Sequence, residues 1–376
     1  MPALVLVSVT GFSGYAALLA VAPAWAVEGG ATEAGAGLVN GVLLAATVAT
    51  QLFVPRLVAS FGTGPIVVVG LMLMGLAAPA YAFSSALGPV LAWSAVRGAG
   101  FGILTVTGST IVARLVPPER RGEAVGVYGL AVAVPNLLLL PGSVLVADRF
   151  GFGWAFAVAT LPLLGVPAAL ALGRRLRAVE ALIDPTDGAT DRRTLLALLR
   201  PTLILFAVTM AGGALITFAP QLGVSGPMAA VVLLVLGIGT ALSRWLVGPL
   251  ADRYGPQRFL APLLALCAVG MSLCGLAVVR GDAVLLVLGA LVVGPAYGAL
   301  QNLTLVIAFA HVSAQRIPTA SAVWNIGFDA GTASGAVLAG AIAATSSFGV
   351  AFASLAAAAV AALALTRVGT KPIAVH

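Results

Sequence analysis

Gly248-Pro-Leu-Ala-Asp-Arg-Tyr-Gly-Pro-Gln-Arg258 is a short polar interruption between two stretches without a charged residue, Pro201–Ser243 and Phe259–Val279. Asp252 can cap a helix end and pair with arginine, Gly255 permits a tight turn, and Arg258 suits an anionic lipid interface. The segment therefore reads as a loop between two membrane spans. Six further uncharged stretches lie outside it: Pro2–Val27, Ala34–Pro55, Leu57–Val96, Ala124–Ala147, Phe150–Gly173 and Ala283–Ala310. A helix needs about 20 residues to cross a bilayer, so the two longest stretches each hold two spans. Turn signals at 61–65, 84–89 and 220–227 supply the breaks. With the span that carries Asp329 and the apolar stretch that follows it, the count is twelve.

Composition agrees. The chain is 61% hydrophobic and 8% charged, with a mean hydropathy of +1.11, whereas about a quarter of the residues in a soluble domain are charged. The apolar runs lack the alternation of a membrane barrel and are rich in Leu, Ala and Gly. The 45 glycines and 22 prolines fit transmembrane helices, where small residues let backbones approach and packed neighbours satisfy freed groups. The expected fold is an all-α integral membrane protein.

With the amino terminus cytoplasmic, fifteen of the 19 basic residues fall on inner loops and tail, and Arg149 and Arg280 fall outside. That asymmetry sets the orientation, with both termini inside, and the net charge of +7 needs no nucleic acid to explain it. Cys267 and Cys274 sit on one predicted helix about 10.5 Å apart along its axis, too far for a disulfide. Ala22-Pro-Ala-Trp-Ala26 imitates a signal-peptidase site, but without a basic leader it reads as the end of the first span. Because the chain enters that span almost at Met1, a native terminus a few residues longer is an open expectation.

The longest hydrophilic stretch, 174–200, divides the chain into a six-span bundle (1–173) and a second one (201–376) with a short cytoplasmic tail. The halves resemble each other. Leu57-Val-Ala-Ser-Phe-Gly62 aligns with Leu250-Ala-Asp-Arg-Tyr-Gly255 at an offset of 193, and Gly98-Ala-Gly-Phe-Gly102 with Gly294-Pro-Ala-Tyr-Gly298 at 196. Two matches at nearly one offset point to a duplicated bundle.

The 248–258 segment resembles the loop signature of the major facilitator superfamily: a glycine, an Asp-Arg pair, a turn glycine and a terminal basic residue. By that resemblance Gly248, Asp252, Arg253, Gly255 and Arg258 stabilise one gate of an alternating-access cycle. In the first-half loop Ala59 and Ser60 replace the Asp-Arg pair, although Gly62 keeps the turn. Arg97-Gly-Ala-Gly-Phe-Gly102 is similar to a pattern of proton-coupled members. Leu115–Ala124 looks like the usual loop between spans 4 and 5, and Val146–Ala155 like the outer turn of many exporters. The exporter signature of span 5 is eroded, since Val134–Gly142 keeps Pro135 and one later glycine, and Pro2–Val27 holds no acid.

The resemblance implies a central cavity lined by spans 1, 4, 7 and 10, with 2, 5, 8 and 11 at its sides. Ser321, Asn325, Asp329 and Thr332 form one stripe on span 11. Thr209 and Thr217 on span 7, Tyr297, Gln301 and Asn302 on span 10, and Asn40 and Gln51 on span 2 complete the candidate substrate contacts. About half are expected to be structural, bonding their own or neighbouring backbones. An acid deep in an apolar span is by default a functional site, so Asp329 is the candidate proton site. Its candidate counter-charge is Arg97, the alternative being a structural ion pair. Arg244, which stands where Gln51 stands in the repeat, is the other candidate partner of Asp329, the alternative being that its long side chain snorkels toward the interface.

These readings predict a secondary transporter, proton-coupled and exporting small organic molecules. Proton-driven uptake is the rival mode, and a non-transporting receptor or scaffold the rival class. Nothing in the sequence calls for catalysis, a cofactor or a metal: there is no nucleotide-binding loop, and His311 and His376 are the two histidines. The expected partners are the substrate, protons and the lipid bilayer of the cell inner membrane, with the protein a monomer.

Overall fold

The structure, a computed structural model, describes residues 2–115, 121–180, 192–312 and 317–366. Most of the 115–124 loop, the centre of the 174–200 linker, the tail and the Asp252 side chain lie outside the described set. Twelve helical segments among the described residues are long and apolar enough to cross a membrane: Pro2–Glu28, Glu33–Val54, Thr63–Phe83, Leu87–Gly108, Ala131–Phe150, Phe152–Arg174, Thr194–Gln221, Gly226–Gly248, Pro256–Arg280, Ala283–Ala310, Thr319–Thr345 and Phe348–Thr366. They are spans 1 to 12 below. The all-helical multi-pass fold expected from hydropathy is the fold observed, with breaks where Gly62, Ser84–Ala86 and Leu222–Ser225 interrupt the helices.

The chain divides into two compact units. One comprises Met1–Pro185 with Thr217–Gln221 and Ser225–Ala230, and the other the remaining residues. The repeat seen in the sequence recurs in the bonding inside each. After span 2, Gly62 takes φ +80° and donates to Val58 O at 2.8 Å; after span 8, Gly255 takes φ +84° and donates to Ala251 O at the same distance. Left-handed backbone costs a glycine little and any other residue more, which is why the turn glycine survives where the Asp-Arg pair does not.

The crossing of spans 2 and 4 is matched by that of spans 8 and 10. Thr47 Oγ1 donates to Gly98 O at 3.0 Å, and Thr240 Oγ1 to Gly294 O at 3.3 Å. A Cβ on Gly98 or Gly102 would run into the carbonyls of Leu43 or Thr47, and one on Gly294 or Gly298 into those of Leu236 or Thr240. These are the same positions in the two halves. Lipid is as apolar as leucine, so close backbone approach of this kind replaces the hydrophobic effect in holding spans together.

Elsewhere in the first unit, Tyr15 stacks on Phe101 with centroids 3.8 Å apart, and Trp25 Nε1 donates to Tyr81 O at 2.9 Å. In the second unit, Gly327, Gly331 and Gly335 form a seam of period four along span 11 against Thr202, Phe206, Thr209 and Met210 of span 7. Cys267 and Cys274 are free and buried.

Arg200, at the start of span 7, donates from Nε to Leu365 O at 2.7 Å and from Nη2 to Thr366 O at 3.2 Å. It thereby serves orphan carbonyls in the last turn of the helix Phe348–Thr366, where a cation also suits the helix dipole. Arg200→Ala is expected to cost about 1–2 kcal/mol, read as a lowered midpoint of thermal unfolding. Arg200→Lys, which keeps the charge without the fork, should recover part of the loss.

Candidate substrate and proton site

Span 1 carries Pro23, which has no N–H to offer Leu19 O four residues back. Asn40 fills the gap: its Nδ2 donates to Leu19 O at 2.7 Å and to Thr217 Oγ1 at 2.8 Å, Thr217 belonging to the first unit. Asn40 Oδ1 is buried without a hydrogen bond. Gln51 is also buried and donates from Nε2 to Thr105 Oγ1 at 3.1 Å. Both residues of span 2 thus stitch helices together.

Arg97 is fully buried, at 0% exposure. Its Nη2 donates to Gly14 O at 2.8 Å and contacts Tyr15 O at 3.5 Å, while Nη1 reaches Tyr81 Oη at 3.5 Å. The guanidinium also lies 5.7 Å from the centroid of the Tyr81 ring, and Ser94 Oγ, 2.7 Å from Tyr81 Oη, fixes that hydroxyl. A cation in a membrane span is costly unless paired, and carbonyls, a hydroxyl and a π-face supply that pairing within the first unit. Arg97 Nε is buried without a partner. Tyr81 and Ser94 escaped the sequence reading because their role depends on the arginine's reach across three spans.

In the second unit the span 11 stripe divides. Asn325 Nδ2 donates to Ser321 O and Thr332 Oγ1 to Phe328 O, each at 2.9 Å, so both side chains bond their own helix. Asp329 is 4% exposed. At 100° per residue it points away from the glycine seam, since Gly327 and Gly331 each lie two residues from it. Tyr297, on span 10, is buried, with its ring centroid 6.4 Å from that of Phe328 on span 11. Thr209 bonds Phe206 O at 3.1 Å and packs under Gly331.

Arg244 Nη1 donates to Gln301 Oε1 at 3.1 Å, which ties the head group to span 10. Asn302 Nδ2 donates to Arg244 O at 2.7 Å and holds the backbone at the same crossing. Arg244 and Gln301 thus form a polar pair at the crossing of spans 8 and 10 inside the second unit. The signal was available in the repeat: the Arg244–Gln301 pair occupies the place of Gln51–Thr105.

Of the gating-loop residues, Gly248 has open space where a Cβ would stand, and Gly255 makes the turn. Arg253 is exposed, with its guanidinium 5.2 Å from the centroid of the Tyr254 ring, and Arg258 is exposed.

Known proteins resemble this chain in sequence and in shape. An uncharacterized MFS-type transporter of Mycobacterium tuberculosis is 33% identical over 121 residues, 32% of this chain and 21% of that protein. A second from the same species is 29% identical over 63% of this chain and 31% of its own length. One from Bacillus subtilis is 26% identical over 46% and 45% respectively. The chain thus spans less than half the length of these relatives. Among solved structures, a D-xylose-proton symporter superposes with a TM-score of 0.74 at 15% identity, covering 97% of this chain and 96% of that one. A bacterial homolog of the human lysosomal transporter Spinster, inward-facing and occupied, gives 0.69 at 16%, covering 97% and 95%. The family model for the Major Facilitator Superfamily matches residues 3–220 and 201–374, essentially end to end, and to that superfamily the chain belongs.

Proposed function

We propose that this protein is a proton-coupled secondary transporter that exports small organic molecules by alternating access, with Asp329 as the proton site. The observation that carries the reading is a carboxylate 4% exposed in the interior of an apolar span, where an ionised group is costly and persists for function. Arg97 is the second proton-coupling candidate, a buried cation with one donor unspent. The 248–258 loop acts as a gate, and fifteen basic residues against two orient both termini to the cytoplasmic side of the cell membrane. The protein works as a monomer.

A specific observation supports proton-driven uptake as the second reading. Arg244 places a cation inside span 8, bonded to Gln301, and a cation within a span can accept an anion that travels with a proton. The test is substrate-linked proton movement in proteoliposomes holding a pH dye, across panels of anionic, neutral and cationic compounds. Export by antiport predicts proton flow opposite to substrate, and uptake by symport predicts flow with it. A panel member that binds without moving protons or itself crossing the membrane would replace transport with a receptor role.

A further inference from the structure

We propose that residues 217–221 and 225–230, the tip of the hairpin between spans 7 and 8, form a release latch that Asn40 and Asp148 hold shut and that opens in each transport cycle. The inference rests on the alternating-access reading and adds a second gate, at the end of span 8 away from the 248–258 loop.

The sequence supplies the first argument. Ala147-Asp-Arg-Phe-Gly151, after span 5, repeats Ala251-Asp-Arg-Tyr-Gly255, after span 8. The backbone repeats with it: Gly151 takes φ +89° and donates to Ala147 O at 3.0 Å, as Gly255 takes φ +84° and donates to Ala251 O at 2.8 Å. Three crossings separate the two turns along the chain, so by topology they lie on opposite sides. The gate signature of the 248–258 loop therefore has a counterpart at the other end.

The second argument is what that counterpart touches. The helix of span 8 starts at Gly226, after Ser225, whose Oγ accepts from Met228 N at 3.4 Å and whose carbonyl accepts from Ala229 N at 2.9 Å. Asp148 lies so close to Gly226 that a Cβ there would overlap its carboxylate. Both residues belong to the first unit. A carboxylate is favoured at a helix N-terminus, where aligned peptide dipoles and unpaired N–H groups leave positive charge, and a glycine admits it at this range. The second catch is the bond from Asn40 Nδ2 to Thr217 Oγ1 at 2.8 Å, beside which Ala219–Gln221 packs on the helix Val21–Glu28.

The third argument is that the closed tip is poised to open. Asn40 Oδ1 and Gln221 Oε1 are buried and accept no hydrogen bond, and Gln221 Nε2 reaches Thr217 O at 3.5 Å. A permanent seam would satisfy such groups, because a buried acceptor left dry costs more than a hydrogen bond gains. Lifting the tip wets both oxygens and offsets the two contacts it breaks. The tip belongs to the first unit while the rest of spans 7 and 8 belongs to the second, so a change of state has to act on it.

The test follows backbone hydrogen exchange of the full chain in nanodiscs without added substrate, since exchange reports local opening. Asp148→Asn keeps the volume and removes the charge, and Thr217→Val keeps the shape and removes the acceptor. Exchange across 217–230 and its seat at 21–28 should rise about 2- to 5-fold in the first and about 3- to 10-fold in the second. Exchange at 248–258 should fall at the same time, because in an alternating cycle one end closes as the other opens. Unchanged exchange at the tip in both variants would overturn the proposal, and so would a rise there with no fall at 248–258, the mark of a structural contact. If Thr217→Val fails to fold, Asp148→Asn, at an exposed position, carries the test. Reciprocal exchange in a protein that moves no protons with any compound would remove the coupled-transport reading and keep the latch. Substrate-linked flux in the wild type, with exchange unaltered by both variants, would do the reverse.

Discussion

Gly335→Ala is expected to leave little folded protein, whereas Gly142→Ala is expected to be silent or mildly stabilising. Both glycines lie inside membrane helices. A Cβ on Gly335 would overlap the carbonyl oxygen of Met210 on span 7, with the Met210 Cα also in the way, while a Cβ on Gly142 would meet nothing within 4 Å. The obstacle at Gly335 is backbone, which cannot rotate aside, so spans 7 and 11 must part. Overpacking costs roughly 1–3 kcal/mol where side chains can adjust and more where they cannot; about 3 kcal/mol or more is expected here. At Gly142 the alanine gains about 0.5–1 kcal/mol of helix preference. The readouts are the yield of monodisperse protein after extraction and its unfolding midpoint. If the two alanines behave alike, the close approach of spans 7 and 11 is wrong. The consequence reaches function, because the glycine seam fixes the face of span 11 opposite Asp329, and its loss would turn the carboxylate from its present direction.

The fold was legible because membrane helices leave a coarse record. Uncharged length sets each span, and Gly62, Gly255 and the breaks at 84–89 and 220–227 mark the turns. The duplication was legible through two short matches, and the structure extends it to the bonding of Thr47 and Thr240. The site was less legible. Polar residues at helical spacing show which face they share but not what lies opposite, so Asn325 and Thr332 read like ligands while bonding their own helix. Asn40 needed the missing N–H of Pro23 before its partner, Leu19 O, became evident. For Arg244 the sequence leaves two destinations open, Asp329 or the interface, and the pattern of charges along one helix does not choose between them. Its partner Gln301 lies 57 residues away, and the repeat alone linked them.

Asp329→Asn should abolish proton-driven accumulation while sparing exchange of substrate for substrate. Asparagine keeps the volume and the hydrogen-bonding reach of the carboxyl but cannot titrate. A proton crossing 100 mV supplies about 2.3 kcal/mol, which sustains a substrate gradient of roughly 40- to 50-fold. Without a titratable group that gradient should collapse to near unity, and substrate-linked proton flux should fall to the level of empty liposomes. Exchange needs only the loaded carrier to reorient, a step an asparagine permits as a protonated aspartate does. The two assays together therefore separate coupling from folding: a misfolded variant fails both, and a structural Asp329 loses stability but keeps coupling in whatever protein survives. Stability gives an independent check. Removing a charge from the membrane interior relieves desolvation, so the unfolding midpoint of Asp329→Asn should hold or rise if the carboxylate is there for proton traffic. A marked fall would mean that the carboxylate holds its neighbouring spans together, and the proton site would have to be sought elsewhere.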